Sequence, residues 1–193
     1  MSEILPLECA CGSVKGELKV VKSDAFHVQC LCCDCQKYAT ELGTASAVLD
    51  AHGASDLFQT YPSYLQITQG QENISCMQLS PKGLFRWHTS CCNMPIANTL
   101  RSAKVPFVGI STTFMKFGNG QTKDQCLGPV ILKAYGRHAI GNVPEDVHPT
   151  FPKTFLPKIL WFMLKGKIFA KHQPSVFFPD GHPLVESKLA PKN

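Results

Sequence analysis

The stretch HVQCLCCDCQK, residues 27–37, sets Cys30, Cys32, Cys33 and Cys35 within six consecutive positions. It continues an alternating run, AFHVQ (25–29), that reads as a strand. Thiols this dense act as disulfide partners, metal ligands, a redox centre or small core residues. Two further close pairs, Cys9 with Cys11 and Cys91 with Cys92, sit beside other strand-like runs. Ten cysteines in 193 residues are too few for a small disulfide scaffold. The opening MSEILPLECACG carries an early acid and no signal-like apolar run, so the expected compartment is reducing and cytoplasmic. There, clustered thiols point to metal or redox chemistry.

The runs around these cysteines predict a mostly β domain. SVKGELKVV (13–21), TASAVL (44–49), YLQIT (64–68), ISCMQL (74–79) and GLFRWH (83–88) alternate in strand fashion. FVGIST (107–112) and VILKAY (130–135) extend the series, and GNG (118–120) reads as a hairpin turn. No strong helix is expected before residue 140. The proline-rich VPEDVHPTFPKTFLP (143–157) then reads as a strap, followed by a short helix over 158–170 with Pro157 suited to its first turn. This divides the chain into a β domain, 1–142, and a C-terminal extension, 143–193.

Hydrophobic residues make up 44% of the chain and charged residues 17%, the balance of an ordinary globular protein. The net charge of +5 is uneven. Residues 1–150 hold twelve basic and twelve acidic side chains, whereas 151–193 hold seven lysines against Asp180 and Glu186. A neutral body argues against a nucleic-acid binder. No phosphate-binding loop or Ser-His-Asp order is present, and no apolar run is long enough to span a bilayer.

Zinc prefers thiolates in tetrahedral sets delivered as close pairs on turns. Cys30, Cys32 and Cys35 can share one ion and leave a fourth position open, the arrangement of a reactive site. Cys33 reads as a packing or spare thiol. Cys76 and Cys126 read as buried small residues. His27 reads as an ordinary strand histidine or as a proton donor beside the thiols.

The ordered set CACGSVKG (9–16), CLCCDCQK (30–37) and FRWHTSCCNMPIANT (85–99) resembles the glutathione-dependent formaldehyde-activating enzyme and centromere protein V-like (GFA/CENP-V) family. The family pattern is CxCG, then CxCxxC, then a CxxCG knuckle followed by a small residue and proline. The resemblance covers roughly residues 7–135 and marks a divergent member. It implies an Mss4-like β-tent fold with two zinc ions, a C-terminal extension being added here. Cys9 and Cys11 would be structural ligands, completed by the knuckle. Cys30, Cys32 and Cys35 would hold the reactive zinc. At the knuckle Asn93 replaces glycine, and Thr89 stands where the first cysteine belongs. Cys92 is then the expected ligand, with Cys91 or His88 as the fourth.

The same resemblance implies carbon–sulfur lyase chemistry on an adduct of a small thiol such as glutathione with formaldehyde or another small aldehyde. Lys37 or a backbone N–H near residue 35 is a candidate donor to the developing oxyanion. Two other classes stand beside it: a non-catalytic zinc-stabilised interaction module, and a thiol redox or metal-buffering protein. The apolar, lysine-bearing segment 155–171 either caps the β domain or meets an anionic membrane or an acidic partner.

Overall fold

The computed structural model describes residues 3–118 and 120–191. Strand β2 (Lys15–Val20) shows how the alternation works: Gly16, Leu18 and Val20 turn inward while Lys15, Glu17 and Lys19 face water. It pairs antiparallel with β1 (Glu3–Glu8) and with a later strand, Leu65–Gln69, to form a three-stranded sheet. Gly16 is required there, because a Cβ would sit 2.3 Å from the Gln66 carbonyl oxygen.

Chain order then gives β3 (Phe26–Cys30), β4 (Ser55–Thr60) and β5, the Leu65–Gln69 strand of the first sheet. It continues with β6 (Ile74–Gln78), β7 (Phe85–Thr89), β8 (Pro95–Thr99) and β9 (Val108–Ser111). The last two strands are β10 (Leu132–Ala134) and β11 (Ser187–Leu189). All of these except β5 form an eight-stranded sheet in the order β10-β3-β4-β9-β8-β7-β6-β11. Its outer pairs, β10 with β3 and β11 with β6, are parallel, and the inner ones are antiparallel. Phe58, Trp87, Ile96 and Ile110 from the large sheet share one core with Leu5 and Leu18 from the small one. The protein is therefore mostly β.

Among the described residues four α-helices accompany the sheets: α1 (Cys33–Glu41), α2 (Ala45–Val48), α3 (Lys123–Leu127) and α4 (Leu156–Ile168). Two expectations fail. The TASAVL run, read as a strand, is the one-turn helix α2. Six residues are too few to separate a strand from a short helix by pattern alone. A nine-residue helix, α1, also forms well before residue 140. Its polar sequence gives little apolar periodicity; its start is set by Cys32, whose side chain accepts from the Cys35 N–H. The turn expected at 118–120 includes Asn119, which lies outside the described residues.

The C-terminal part returns to the β core. Pro157 lies in the first turn of α4. Phe162 stacks on Tyr61 at 4.3 Å, and Phe177 stacks on Trp87 at 4.8 Å. His148 bridges to Ala134 at the edge of the large sheet. Phe155 and Phe151 pack with Val28, Leu57 and Leu132 in a smaller second cluster.

Candidate metal centres

Two turns meet to form the first sulfur group. After β1 the chain bends at Cys9–Gly12, with the Gly12 N–H donating to the Cys9 carbonyl at 3.0 Å. The Val14 N–H donates to Cys9 Sγ at 3.2 Å. Between β7 and β8 the turn closes through the Thr89 N–H and the Met94 carbonyl, at 2.9 Å. Asn93 takes φ 54° there, a left-handed value that asparagine tolerates better than most residues. This turn delivers both Cys91 and Cys92. The sulfurs of Cys9, Cys11, Cys91 and Cys92 all lie within 4.8 Å of one another.

His88 is not in this group. Its Nδ1 lies 3.4 Å from the Arg86 carbonyl, and its ring meets Tyr38 edge-on. Of the two candidates for the fourth position, the turn brings Cys91.

The second sulfur group forms where β3 runs into α1. Cys30 ends the strand, Cys32 caps the helix and Cys35 lies in its first turn. Leu31 between them is buried, and its N–H donates to the Ala134 carbonyl at 3.0 Å, which fixes the loop against β10. The three sulfurs lie within 4.8 Å of one another, with no fourth His, Cys or carboxylate among the described residues. Cys33 is not in this group and lies exposed beside Asp34.

Both donor sets suit a thiophilic metal. A tetrahedral zinc with Zn–S bonds of about 2.3 Å sets its sulfurs about 3.8 Å apart. In the first group Cys9–Cys11 is 3.5 Å, Cys9–Cys91 3.9 Å, Cys11–Cys91 3.3 Å and Cys91–Cys92 3.9 Å. In the second, hydrogen bonds from Cys30 and Cys35 lower the Cys32 thiol to about 2 despite burial. The Cys30 thiol is pushed up by donating to Cys32 and Cys35 and by burial. A bond with Cys30 lowers Cys35, but donation to Cys32 and burial outweigh it and leave Cys35 at about 11. Thiols this close oppose one another's ionisation; a cation is what lets all three ionise.

A cavity of about 430 Å³ opens beside the second group and is lined in part by Cys30, Cys32, Cys33 and Cys35. Strand register builds its floor. Gln59 on β4 faces Gly109 on β9, Gly109 faces Asn98 on β8, and Asn98 faces Arg86 on β7. Paired residues share one face of a sheet, so these four form a single row across four strands, polar at every position but Gly109. Leu57, Leu84 and Phe107 supply apolar walls, and Tyr135 and His138 complete the lining.

Arg86 is the buried cation of this site. Its guanidinium lies 5.2 Å over the Tyr38 ring, and one nitrogen is 3.6 Å from Asp34. Its charge lowers both Cys32 and Cys35. The Tyr38 hydroxyl, donating to the Trp87 carbonyl at 3.0 Å, anchors α1 over this side of the sheet. Tyr135 has φ 68°, an uncommon conformation for a bulky residue. Burial and the three neighbouring cysteines raise its phenol, so it stays protonated at neutral pH.

Comparison with known proteins places the chain in a family. The chain belongs to DUF6151, a family of unknown function. The family model matches residues 1–188. No curated protein matches the chain. Among solved structures, the crystal structure of a Rhodobacter sphaeroides protein, a Northeast Structural Genomics target, is similar with 18% identity. That match covers 65% of this chain and 96% of the other, with a TM-score of 0.45.

The sequence of the DUF6151 chain points to the thiols but not to Arg86, Asn98, Gln59, Tyr135 or His138. Arg86 carried the one usable signal, a lone cation between Phe85 and Trp87 in a strand. Lys37, expected as a candidate donor to the oxyanion, is not among the residues that line the cavity. His27 lies outside the sulfur groups: its Nδ1 faces the Gly128 carbonyl and its Nε2 faces Asp56, each at 2.7 Å. Cys76 and Cys126 are buried. No described helix is long and apolar enough to cross a membrane.

Proposed function

We propose that this protein binds two zinc ions and acts as a carbon–sulfur lyase on the adduct of a small thiol, such as glutathione, with formaldehyde or another small aldehyde. The observation that carries this reading is the three-sulfur group at the wall of a 430 Å³ cavity, in a chain that offers four sulfurs at a separate group. Four ligands close a structural site, whereas three leave a position for a substrate. The cysteine-motif resemblance to the GFA/CENP-V family and its β-tent fold points the same way, and membership of that family is part of the proposal.

Cys30, Cys32 and Cys35 would hold the reactive ion, and Cys9, Cys11, Cys91 and Cys92 the structural one. Zinc bound by three thiolates would offer a fourth position to a thiol sulfur and favour its ionised form. Arg86 offsets the net negative charge of such a site. In the cleavage direction the adduct's hydroxyl gives its proton to the His138 imidazole. The C–S bond then breaks, its electron pair passes to sulfur, and the former hydroxyl oxygen becomes the aldehyde carbonyl. In the reverse direction the Tyr135 hydroxyl donates a hydrogen bond to the oxygen as charge develops on it. Leu57, Leu84 and Phe107 keep the reacting carbon away from bulk water.

The test is exchange NMR on glutathione with formaldehyde at catalytic protein concentration. The reading predicts faster interconversion of free thiol and adduct, lowered about 100-fold by Tyr135→Phe and abolished by Cys30→Ala. No acceleration by protein carrying both metals would overturn catalysis and leave a binding module.

A further inference from the structure

Helix α4 is held by one side only. Phe162 lies against Tyr61 and Phe26, and the Tyr61 hydroxyl donates to the Phe162 carbonyl at 2.8 Å. Gly166 brings the helix so close that a Cβ there would lie 2.5 Å from Tyr61 and 2.7 Å from Pro106. Lys165 pairs with the buried carboxylate of Asp24, which also accepts from Tyr64. These contacts fix the rotation of the helix about its axis.

The opposite side is apolar as well. Leu160 is 68% exposed, Trp161 64%, Leu164 51%, Ile168 64% and Phe169 61%. At about 100° per residue, Leu160, Trp161, Leu164 and Ile168 fall on one arc, facing away from Phe162 and Gly166. Phe169, just past the end of the helix, is exposed as well. A second apolar arc is why the helix shows no clean amphipathic pattern in sequence. Along the chain the neighbouring charge has one sign. Lys153, just before the helix, and Lys158 and Lys167 within it are exposed, and no acidic residue occurs between Asp146 and Asp180.

We infer that the outer face of α4 seats the protein on an anionic lipid surface. Leu160, Trp161, Leu164 and Ile168 enter the boundary between headgroups and acyl chains, and Lys153, Lys158 and Lys167 meet the lipid phosphates. An interfacial helix needs this pairing of a large apolar face with flanking lysines, and tryptophan favours that depth. A second copy of the chain fits less well, because it would bring the same lysines together with no acid to answer them. The inference is independent of the zinc sites, since none of these residues lines the cavity.

The test uses full-length protein with phosphatidylcholine vesicles, with and without phosphatidylglycerol, at low and high salt. Trp161 is the reporter: Trp87, the other tryptophan, is fully buried and stays dry in either state. Vesicles containing phosphatidylglycerol should shift the emission to the blue and carry the protein on flotation, and high salt should weaken both. Leu160→Asp and Leu164→Asp should each lower partitioning about tenfold or more. Both sites face water, and unchanged Trp87 near-ultraviolet dichroism would verify their fold. No binding of wild-type protein to anionic vesicles at low salt would overturn the inference. So would a lipid-free, concentration-dependent blue shift, which assigns the face to a second copy. A shift with polyglutamate but not with vesicles would overturn it in favour of an acidic partner.

Discussion

Removing the two sulfur groups one at a time should give unequal losses of stability. The first group joins Cys9 to Cys91 across 82 positions, so binding an ion there closes a long loop between the two sheets. The chain-entropy relation for a cross-link puts that closure at about 4.5 kcal/mol. The second group spans only Cys30 to Cys35, for which the same relation gives about 2 kcal/mol. For a chain of this size each kcal/mol moves Tm by about 2–4 °C. Changing Cys91 and Cys92 together to Ala should therefore lower Tm by about 9–18 °C, and Cys30→Ala by about 4–8 °C. Thermal melts by circular dichroism, with metal content measured on the same samples, decide this. Both variants should lose about one metal per chain. An equal or larger drop for Cys30→Ala would refute the assignment of the long clip as structural.

Two further outcomes follow from buried contacts. His27 faces two acceptors, and although burial lowers its pKa, the bonds to Asp56 and Gly128 raise it overall. Asp56 is held low, the bonds from His27 and Lys123 outweighing its burial. The histidine's contribution is complete below its unfolded value of about 6.5 and fades as pH rises through the raised folded value. The aspartate's is complete above about 3.9 and fades as pH falls through its depressed value. Urea midpoints should thus decline above neutrality, and His27→Gln should flatten that decline; a flat wild-type curve would contradict the pairing. Gly166→Ala gains about 1 kcal/mol of helix propensity but incurs about 1–3 kcal/mol of overpacking against Tyr61 and Pro106. The balance is a small loss, so a raised Tm would refute the docked position of α4.

Much of the small sheet was legible, because Lys15–Val20 alternates without interruption and has one wet face. Strands β4 and β8 were not: SDLFQT is buried at four of its six positions and PIANT at all five, so neither shows an in–out pattern. Helix α1 was not legible, because its polar sequence lacks an apolar period and its start rests on Cys32, a residue outside the usual capping set. The metal donors were legible because their chemistry lies in residue type and close spacing. The cavity floor was not, since Gln59, Gly109, Asn98 and Arg86 meet only through the register of four strands. Arg86 looks solvent-facing in an alternating strand. It is buried because α1 covers that side of the sheet, which no local pattern shows.

The most direct measurement is zinc per chain on freshly purified protein, before and after exposure to glutathione, for the wild type and Cys30→Ala. The account predicts two zinc ions in the wild type, one of which changes its coordination or leaves on addition of the thiol. It predicts one zinc ion in the variant, with no response. Less than one zinc in a stable wild-type protein with reduced cysteines would contradict it.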